Sequence, residues 1–367
     1  MSLNKVIISG GGTGGHIYPA IAIANKIKER NPDCEILFVG AEGKMEMEKV
    51  PKAGYKIVGL PIRGLQRKLT FKNLAVPFRL LSSLWKAKRI IKDFKPDAAI
   101  GVGGYASAAV LRKASGLKVP TLLQEQNSYP GVTNKLLSKK AQKICVAYEG
   151  LEQFFPREKI VLTGNPVRKE VAEIEGKKKI AIEHFGLKEG KKTILIIGGS
   201  LGARTLNESV KHRFEALVKA DVQVIWQCGK FYFEELKKFM AENPNENIYL
   251  SDFVYEMDLA YAAADVILSR AGALSISELC LIGKPAILVP SPNVSEDHQT
   301  KNAMALVNKN AAVLVKDLEA RDVLIPKALE LLNNYTDAQN LGKQILKMGF
   351  PNAADLIVDE IEKLKKG

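Results

Sequence analysis

The sequence is poor in the residues that build metal centres and covalent staples. Four cysteines and four histidines are spread over 367 residues. Cys34, Cys145, Cys228 and Cys280 stand far apart, with no Cys-x-x-Cys pair and no Cys/His ligand spacing. That excludes a zinc ribbon and a disulfide framework, and it predicts buried thiols in a reducing compartment. No run reaches the roughly eighteen uncharged apolar residues of a membrane-spanning helix. The opening stretch, Lys5-Val6-Ile7-Ile8-Ser9, runs straight into glycines and reads as a strand and a turn, without the longer apolar core and cleavage site of a secretory leader. A cytoplasmic protein is expected. No aromatic-basic stacking platform accompanies the positive charge, so nucleic acid is not an expected partner.

What is present is charge and apolar bulk. Lysine and arginine number 54 against 40 acidic residues, a formal net charge of +14 that favours anionic lipid surfaces or phosphorylated substrates. Hydrophobic residues make up 46% of the chain, enough for real cores, and the length suits two domains of similar size.

Short β-rich apolar runs alternate with longer helical patterns, the mark of an α/β chain with helices covering parallel sheets. The first series of strands is Val6–Ser9, Ile36–Val39, Lys56–Gly59, Ala98–Gly101, Thr121–Leu123 and Ile144–Val146. The second is Thr193–Ile197, Val222–Gln227, Ile248–Leu250, Val266–Leu268, Ala286–Val289 and Ala312–Val315. Seams fall at Gly164-Asn165-Pro166 and at Met348-Gly349-Phe350-Pro351. The expected domains are therefore 1–163 with 349–367, and 164–348. Both series begin alike, Ile7 to Gly15 resembling Leu195 to Ala203: a buried strand, a glycine turn and a helix start. Two doubly wound domains facing a cleft are expected, with ligands at the carboxyl ends of both sheets.

A glycine turn after a strand lets the backbone approach a phosphate, and the next helix offers free N–H groups and the positive end of its dipole. Gly10-x-Gly12-x-x-Gly15 fits the dinucleotide fingerprint literally, with Glu42 placed as a ribose acid. Nothing further along the chain looks like a hydride-transfer site, whereas phosphate-type turns recur at Gly101 to Ser107 and Gly198 to Ala203. His16 opens the helix after the first turn and is a candidate general base; a helix-capping or packing histidine is the plain alternative. In the second half, Ser269 to Glu278 reads as a strand end, a small-residue turn and a helix opening suited to a pyrophosphate. Glu278 is placed to accept ribose hydroxyls or, more plainly, to stabilise a helix start. Glu296 to Ala303 clusters hydrogen-bonding side chains suited to sugar hydroxyls, any one of which can instead be a helix cap.

Together these segments carry a resemblance. Gly11-Gly12-Thr13-Gly14-Gly15-His16, Gly103-Gly104-Tyr105, Glu125-Gln126-Asn127, Gly164-Asn165-Pro166-Val167-Arg168, Gly198-Gly199-Ser200-x-Gly202-Ala203-Arg204, Arg270-x-Gly272-Ala273-Leu274-x-x-Ser277-Glu278 and Asp297-His298-Gln299-x-x-Asn302-Ala303 follow in order. The chain, from residue 5 to about 355, resembles the MurG family, the N-acetylglucosaminyltransferases of peptidoglycan synthesis. The resemblance implies a GT-B fold of two Rossmann-like domains. It also implies transfer of GlcNAc from UDP-GlcNAc to the C4 hydroxyl of MurNAc in lipid I, giving lipid II and UDP, with inversion and without a metal or other cofactor.

By motif match, the implied donor contacts are Thr13, Gly14, Gly15, Asn127, Arg168, Ser200, Val254, Ala273, Leu274, Ser275, Ile276, Ser277, Glu278 and Gln299. Gly103, Gly104 and Tyr105 fall to the acceptor, and Arg168 or Arg270 to the developing diphosphate charge. His16 is the first choice of base and Glu125 the alternative; either can instead orient the acceptor. Ala271 departs from the family, whose members often carry serine there. Another GT-B enzyme, such as a glycolipid synthase or UDP-sugar epimerase, and a non-catalytic sugar-nucleotide-binding scaffold are the competing readings.

One stretch points to a membrane. From Arg67 to Trp85 the apolar residues Leu69, Phe71, Leu74, Val76, Phe78, Leu80, Leu81, Leu84 and Trp85 interleave with Arg67, Lys68, Lys72 and Arg79. Leu74, Phe78, Leu81 and Trp85 with Lys72 and Arg79 describe a surface that dips into the anionic cytoplasmic leaflet, making the protein peripheral. An amphipathic core helix with a solvated basic face is the competing account.

Overall fold

A computed structural model describes residues 3–62, 76–167, 169–199 and 201–366. The chain divides into two units, Met1–Val167 with Asn352–Gly367, and Arg168–Pro351. The expected seams lie a few residues earlier at both places. Asn165 explains the first: its amide accepts from Gln124 Nε2 and donates to the Gln126 carbonyl, both at 2.9 Å, which ties the seam segment to the first unit.

The first unit holds seven strands: β1 (Lys5–Ser9), β2 (Glu35–Ala41), β3 (Lys56–Leu60), β4 (Ala98–Gly101), β5 (Thr121–Glu125), β6 (Lys143–Val146) and β7 (Ile160–Leu162). They form one parallel sheet in the order β3-β2-β1-β4-β5-β6-β7. β7 is the strand that the apolar pattern does not announce, being three residues long, at the sheet edge and only partly buried. The second unit repeats the plan with β8 (Thr193–Ile197), β9 (Gln223–Gln227), β10 (Ile248–Ser251), β11 (Val266–Ser269), β12 (Ala286–Leu288) and β13 (Val313–Leu314). Its order is β10-β9-β8-β11-β12-β13, again all parallel.

The central strands read as unbroken apolar runs because helices cover both faces. Val6 and Ile8 of β1 pack into one cluster with Ile17, Ile23 and Ile27 of the helix Gly14–Arg30. Ile7, between them, points the other way into a cluster with Ala106, Val110 and Leu111 of the helix Tyr105–Gly116. This period-two alternation fixes the register, since a slip of one residue would exchange the faces. Each fully buried Ile or Val contributes about 1.5–3 kcal/mol.

The last helix, Ala353–Lys366, belongs to the first unit although the second unit precedes it in sequence. Ile357, Val358 and Ile361 complete the β1 core. Arg30 pairs with Asp355 at 2.7 Å, and Lys365 with Asp97 at 2.9 Å.

In each sheet the strand order reverses beside the first strand, between β1 and β4 and between β8 and β11. Loops leaving such a switch point diverge and open a crevice at the carboxyl ends. The glycine turns singled out in the sequence sit there: Gly10 follows β1, Val102-Gly103-Gly104 follows β4, Gly198 follows β8, and Arg270-Ala271-Gly272 follows β11.

Candidate functional site

In the first unit the two turns interlock. Thr13 is the N-cap of the helix Gly14–Arg30, and half-buried His16 lies in its first turn. Thr13 Oγ1 is 3.3 Å from His16 Nδ1. The imidazole packs on Gly103 so closely that a Cβ there would stand 2.7 Å from Nε2. A Cβ on Gly104 would stand 2.7 Å from the Gly11 carbonyl oxygen. Only glycine permits both contacts. Gly103 and Gly104 therefore meet His16 and Gly11 at the switch point, and Tyr105 follows, largely exposed at the start of its helix.

Beneath the first turn lies a side chain that the motifs did not mark. The buried carboxylate of Glu46 accepts the Gly12 N–H at 2.8 Å and the Ala41 N–H at 3.0 Å. Glu42, the ribose acid of the dinucleotide reading, is instead at the surface and paired with Lys86 at 3.1 Å. The dinucleotide reading thus loses its acid.

Glu125 ends β5 and is buried with four donors on its two oxygens. Oε1 accepts the Asn127 N–H and side-chain amide at 3.1 and 3.2 Å; Oε2 accepts the Gly131 N–H and Asn134 Nδ2 at 3.1 and 2.9 Å. Burial raises its pKa, and the Asn127, Asn134 and Gly131 donors only partly oppose that. This geometry holds the loop that carries Asn127.

In the second unit, the helix Ala273–Ile282 starts from Gly272 with Ala273, Leu274 and Ser275 in its first turn and no acidic residue among them. Such an N-terminus favours an anion. Ile276 is buried, and Ser277 Oγ donates to the Ala273 carbonyl at 2.9 Å. Glu278 Oε2 accepts from the buried Tyr261 hydroxyl at 2.8 Å, a partner that no motif predicted. Gln299 Oε1 accepts the Ser291 N–H at 2.8 Å, and Val254 is buried.

Arg270 is engaged inside its own unit. Its Nη1 donates to Asp317 and to the Val289 carbonyl, the latter at 3.0 Å. Asp317 also accepts from the Thr205 hydroxyl at 3.0 Å, so it fastens the strand end to the helix Arg204–His212. Arg168 and Ser200 lie outside the described residues, as do Lys72 and Leu74 of the basic apolar stretch.

The described part of that stretch is the helix Val76–Phe94. Ala87 and Ile91 are buried against the first unit, whereas Phe78, Leu81 and Trp85 are 76%, 65% and 66% exposed. Residues spaced three and four apart share one helical face, so this helix presents apolar surface to solvent as well as to the core. Arg79 and Lys88 are exposed beside it. Among the described residues no helix is long and apolar enough to cross a membrane, and no group of three or more potential ligands is placed to hold a metal. All four cysteines are free and buried, and burial pushes Cys34 and Cys228 up to about 11 and Cys280 to about 12.

Comparison with known proteins accounts for both halves. Residues 6–146 match the glycosyltransferase family 28 N-terminal domain, and residues 193–357 match the glycosyltransferase family 28 C-terminal domain. A Flavobacterium psychrophilum protein is 57% identical over 99% of this chain and 98% of its own length. A Cytophaga hutchinsonii protein is 58% identical over 97% of this chain and 96% of its own. Both are UDP-N-acetylglucosamine--N-acetylmuramyl-(pentapeptide) pyrophosphoryl-undecaprenol N-acetylglucosamine transferases. The crystal structure of Acinetobacter baumannii MurG superposes with a TM-score of 0.78 at 30% identity, covering 98% of this chain and 99% of that one. A Neisseria meningitidis UDP-GlcNAc 2-epimerase shares the fold at 17% identity, with a TM-score of 0.69. With two Rossmann-like parallel-sheet units and relatives this similar over its full length, the chain belongs to the MurG family of GT-B N-acetylglucosamine transferases.

Proposed function

We propose that this protein moves N-acetylglucosamine from UDP-GlcNAc onto the N-acetylmuramyl-pentapeptide of a pyrophosphoryl-undecaprenol acceptor. The observation that carries the reading is the 57% identity over 99% of the chain to a transferase of that name. The glycine turns at both switch points agree with it. In this reading the acceptor oxygen is the C4 hydroxyl of MurNAc, the product is lipid II, and one displacement inverts the anomeric centre.

Each unit supplies part of the chemistry. His16 takes the proton of the attacking hydroxyl; with Nδ1 engaged by Thr13, Nε2 is the nitrogen assigned to it. Four donors hold Glu125 to its loop, which favours His16 over it as the base. Gly103, Gly104 and Tyr105 serve the acceptor, and Thr13, Gly14, Gly15 and Asn127 reach the donor sugar. The second unit holds UDP: Ser200 and the N-terminus formed by Ala273, Leu274 and Ser275 receive the diphosphate. Glu278, oriented by Tyr261, takes the ribose. Ile276, Ser277, Val254 and Gln299 line the donor. As UDP leaves, Arg168 and that helix N-terminus stabilise its growing charge without a metal or other cofactor. Arg270, tied to Asp317, acts by positioning the strand end.

The acceptor's lipid anchor keeps the reaction at a bilayer. Phe78, Leu81, Trp85 and Arg79, and by sequence Lys72 and Leu74, are the residues proposed to serve binding to the anionic cytoplasmic leaflet. Incubation with UDP-GlcNAc and a lipid I analogue tests the whole reading: UDP release is expected to depend on the acceptor. Release at the same rate without it would argue for a hydrolase or a hydrolysing epimerase instead.

A further inference from the structure

The two glycine turns are near-copies in sequence, yet they differ in what fills them. At Gly199 of the second unit, chain neighbours aside, no atom of the described residues stands within 4 Å of where a Cβ would be. At Gly11, its counterpart in the first, a Cβ would fall 2.2 Å from the carboxyl carbon of Glu46. Glu46 is 1% exposed and spends one oxygen on the Gly12 N–H and the other on the Ala41 N–H. The oxygen that accepts the Gly12 N–H stands where a phosphate oxygen would in a nucleotide-binding turn, and the other is anchored at the end of β2. We infer that Glu46 is the built-in anion of the first turn: it closes that turn to a nucleotide diphosphate and positions His16 for proton transfer.

The positioning follows from the contacts around it. Glu46 fixes Gly11 and Gly12 from below, and Gly104 packs on the Gly11 carbonyl from the other strand. Gly103, one residue back, sets the place of the imidazole, and Thr13, one residue past Gly12, holds its Nδ1. Loss of the carboxylate leaves two inward-facing N–H groups without an acceptor and frees the turn that carries His16. Glu46 touches no reacting atom in this account and is a positioning residue. Its catalytic consequence rests on the reading of His16 as base; its place in the turn does not.

Glutamine is the sharp substitution, because one of its two terminal atoms would present N–H to N–H. Glu46→Gln is expected to lower kcat about 100-fold, the usual cost of a small misplacement at the reacting centre. UDP affinity, set in the second unit, should stay at the wild-type value. Hydrogen exchange of the segment 10–16 should accelerate in the same variant. Glu46→Ala leaves a carboxylate-sized space, so added formate should restore both turnover and protection, and chloride at equal ionic strength should not. Wild-type turnover in Glu46→Gln, or a Glu46→Ala defect that formate leaves untouched, would overturn the inference. If His16→Ala keeps full turnover, the base assignment fails, while exchange in the segment 10–16 still reports on Glu46.

Discussion

Glu46 and Glu125 are both buried acids of the first unit, and both accept backbone N–H groups. Glu125 lies inside a recognisable run, Glu125-Gln126-Asn127, whereas Glu46 lies in a charged helix between exposed Met45 and exposed Glu48. Nothing local separates a buried glutamate from a solvated one; the difference comes from Gly11 and Gly40, which leave room for it across the sheet. Tyr261 and Asp317 were hidden in the same way, since each meets its partner, Glu278 or Arg270, from a distant part of the chain. His16 was legible because a glycine turn and a helix start fix its place. Replacing it tests its role. His16→Ala is expected to reduce turnover by about 100-fold or more while UDP binding, followed by calorimetry, stays unchanged. Near-normal turnover would take the proton-transfer role away from His16.

The helix Val76–Phe94 shows what periodicity leaves open at the scale of an element. Its pattern is amphipathic, but a pattern does not say whether a second apolar face is covered. Ile91 and Ala87 are in the core; Phe78, Leu81 and Trp85 are out. Exchanging Phe78 and Trp85 for serine should therefore weaken binding to vesicles of anionic lipid, measured by sedimentation, and leave the melting temperature close to wild type. Binding that survives both substitutions would place the membrane surface elsewhere. The strands were more legible than the helix faces. Fully buried parallel strands write themselves as apolar runs, and each run of the two series became a strand. β7 escaped because a three-residue edge strand, half exposed, carries too few apolar positions to stand out.

Over the whole molecule, the duplication of strand, glycine turn and helix start announced two Rossmann-like units, and the sheet orders repeat accordingly. The first seam was less legible, because Asn165 is bound by the Gln124 side chain of β5 and the Gln126 main-chain carbonyl, which sequence spacing does not connect to it. The return of the helix Ala353–Lys366 to the first unit depends partly on Asp97. Burial alone would raise this carboxyl, but the Asn4 N–H, the Lys365 ammonium and the Lys5 N–H outweigh it and hold it below the usual aspartate value. A depressed acid stabilises the fold above its unfolded pKa of about 3.9 and loses that contribution as pH falls through the folded value. Asp97→Asn should thus melt earlier than wild type at pH 7, with the gap closing as the pH is lowered below about 4. A gap independent of pH would assign the effect to packing. Product analysis tests the transfer reaction itself most directly. UDP-GlcNAc, a lipid I analogue and the protein, in the presence of EDTA, should yield a disaccharide with β-linked GlcNAc on the MurNAc C4 oxygen. Free GlcNAc, an epimerised nucleotide sugar, or an unmodified acceptor after UDP release would contradict it.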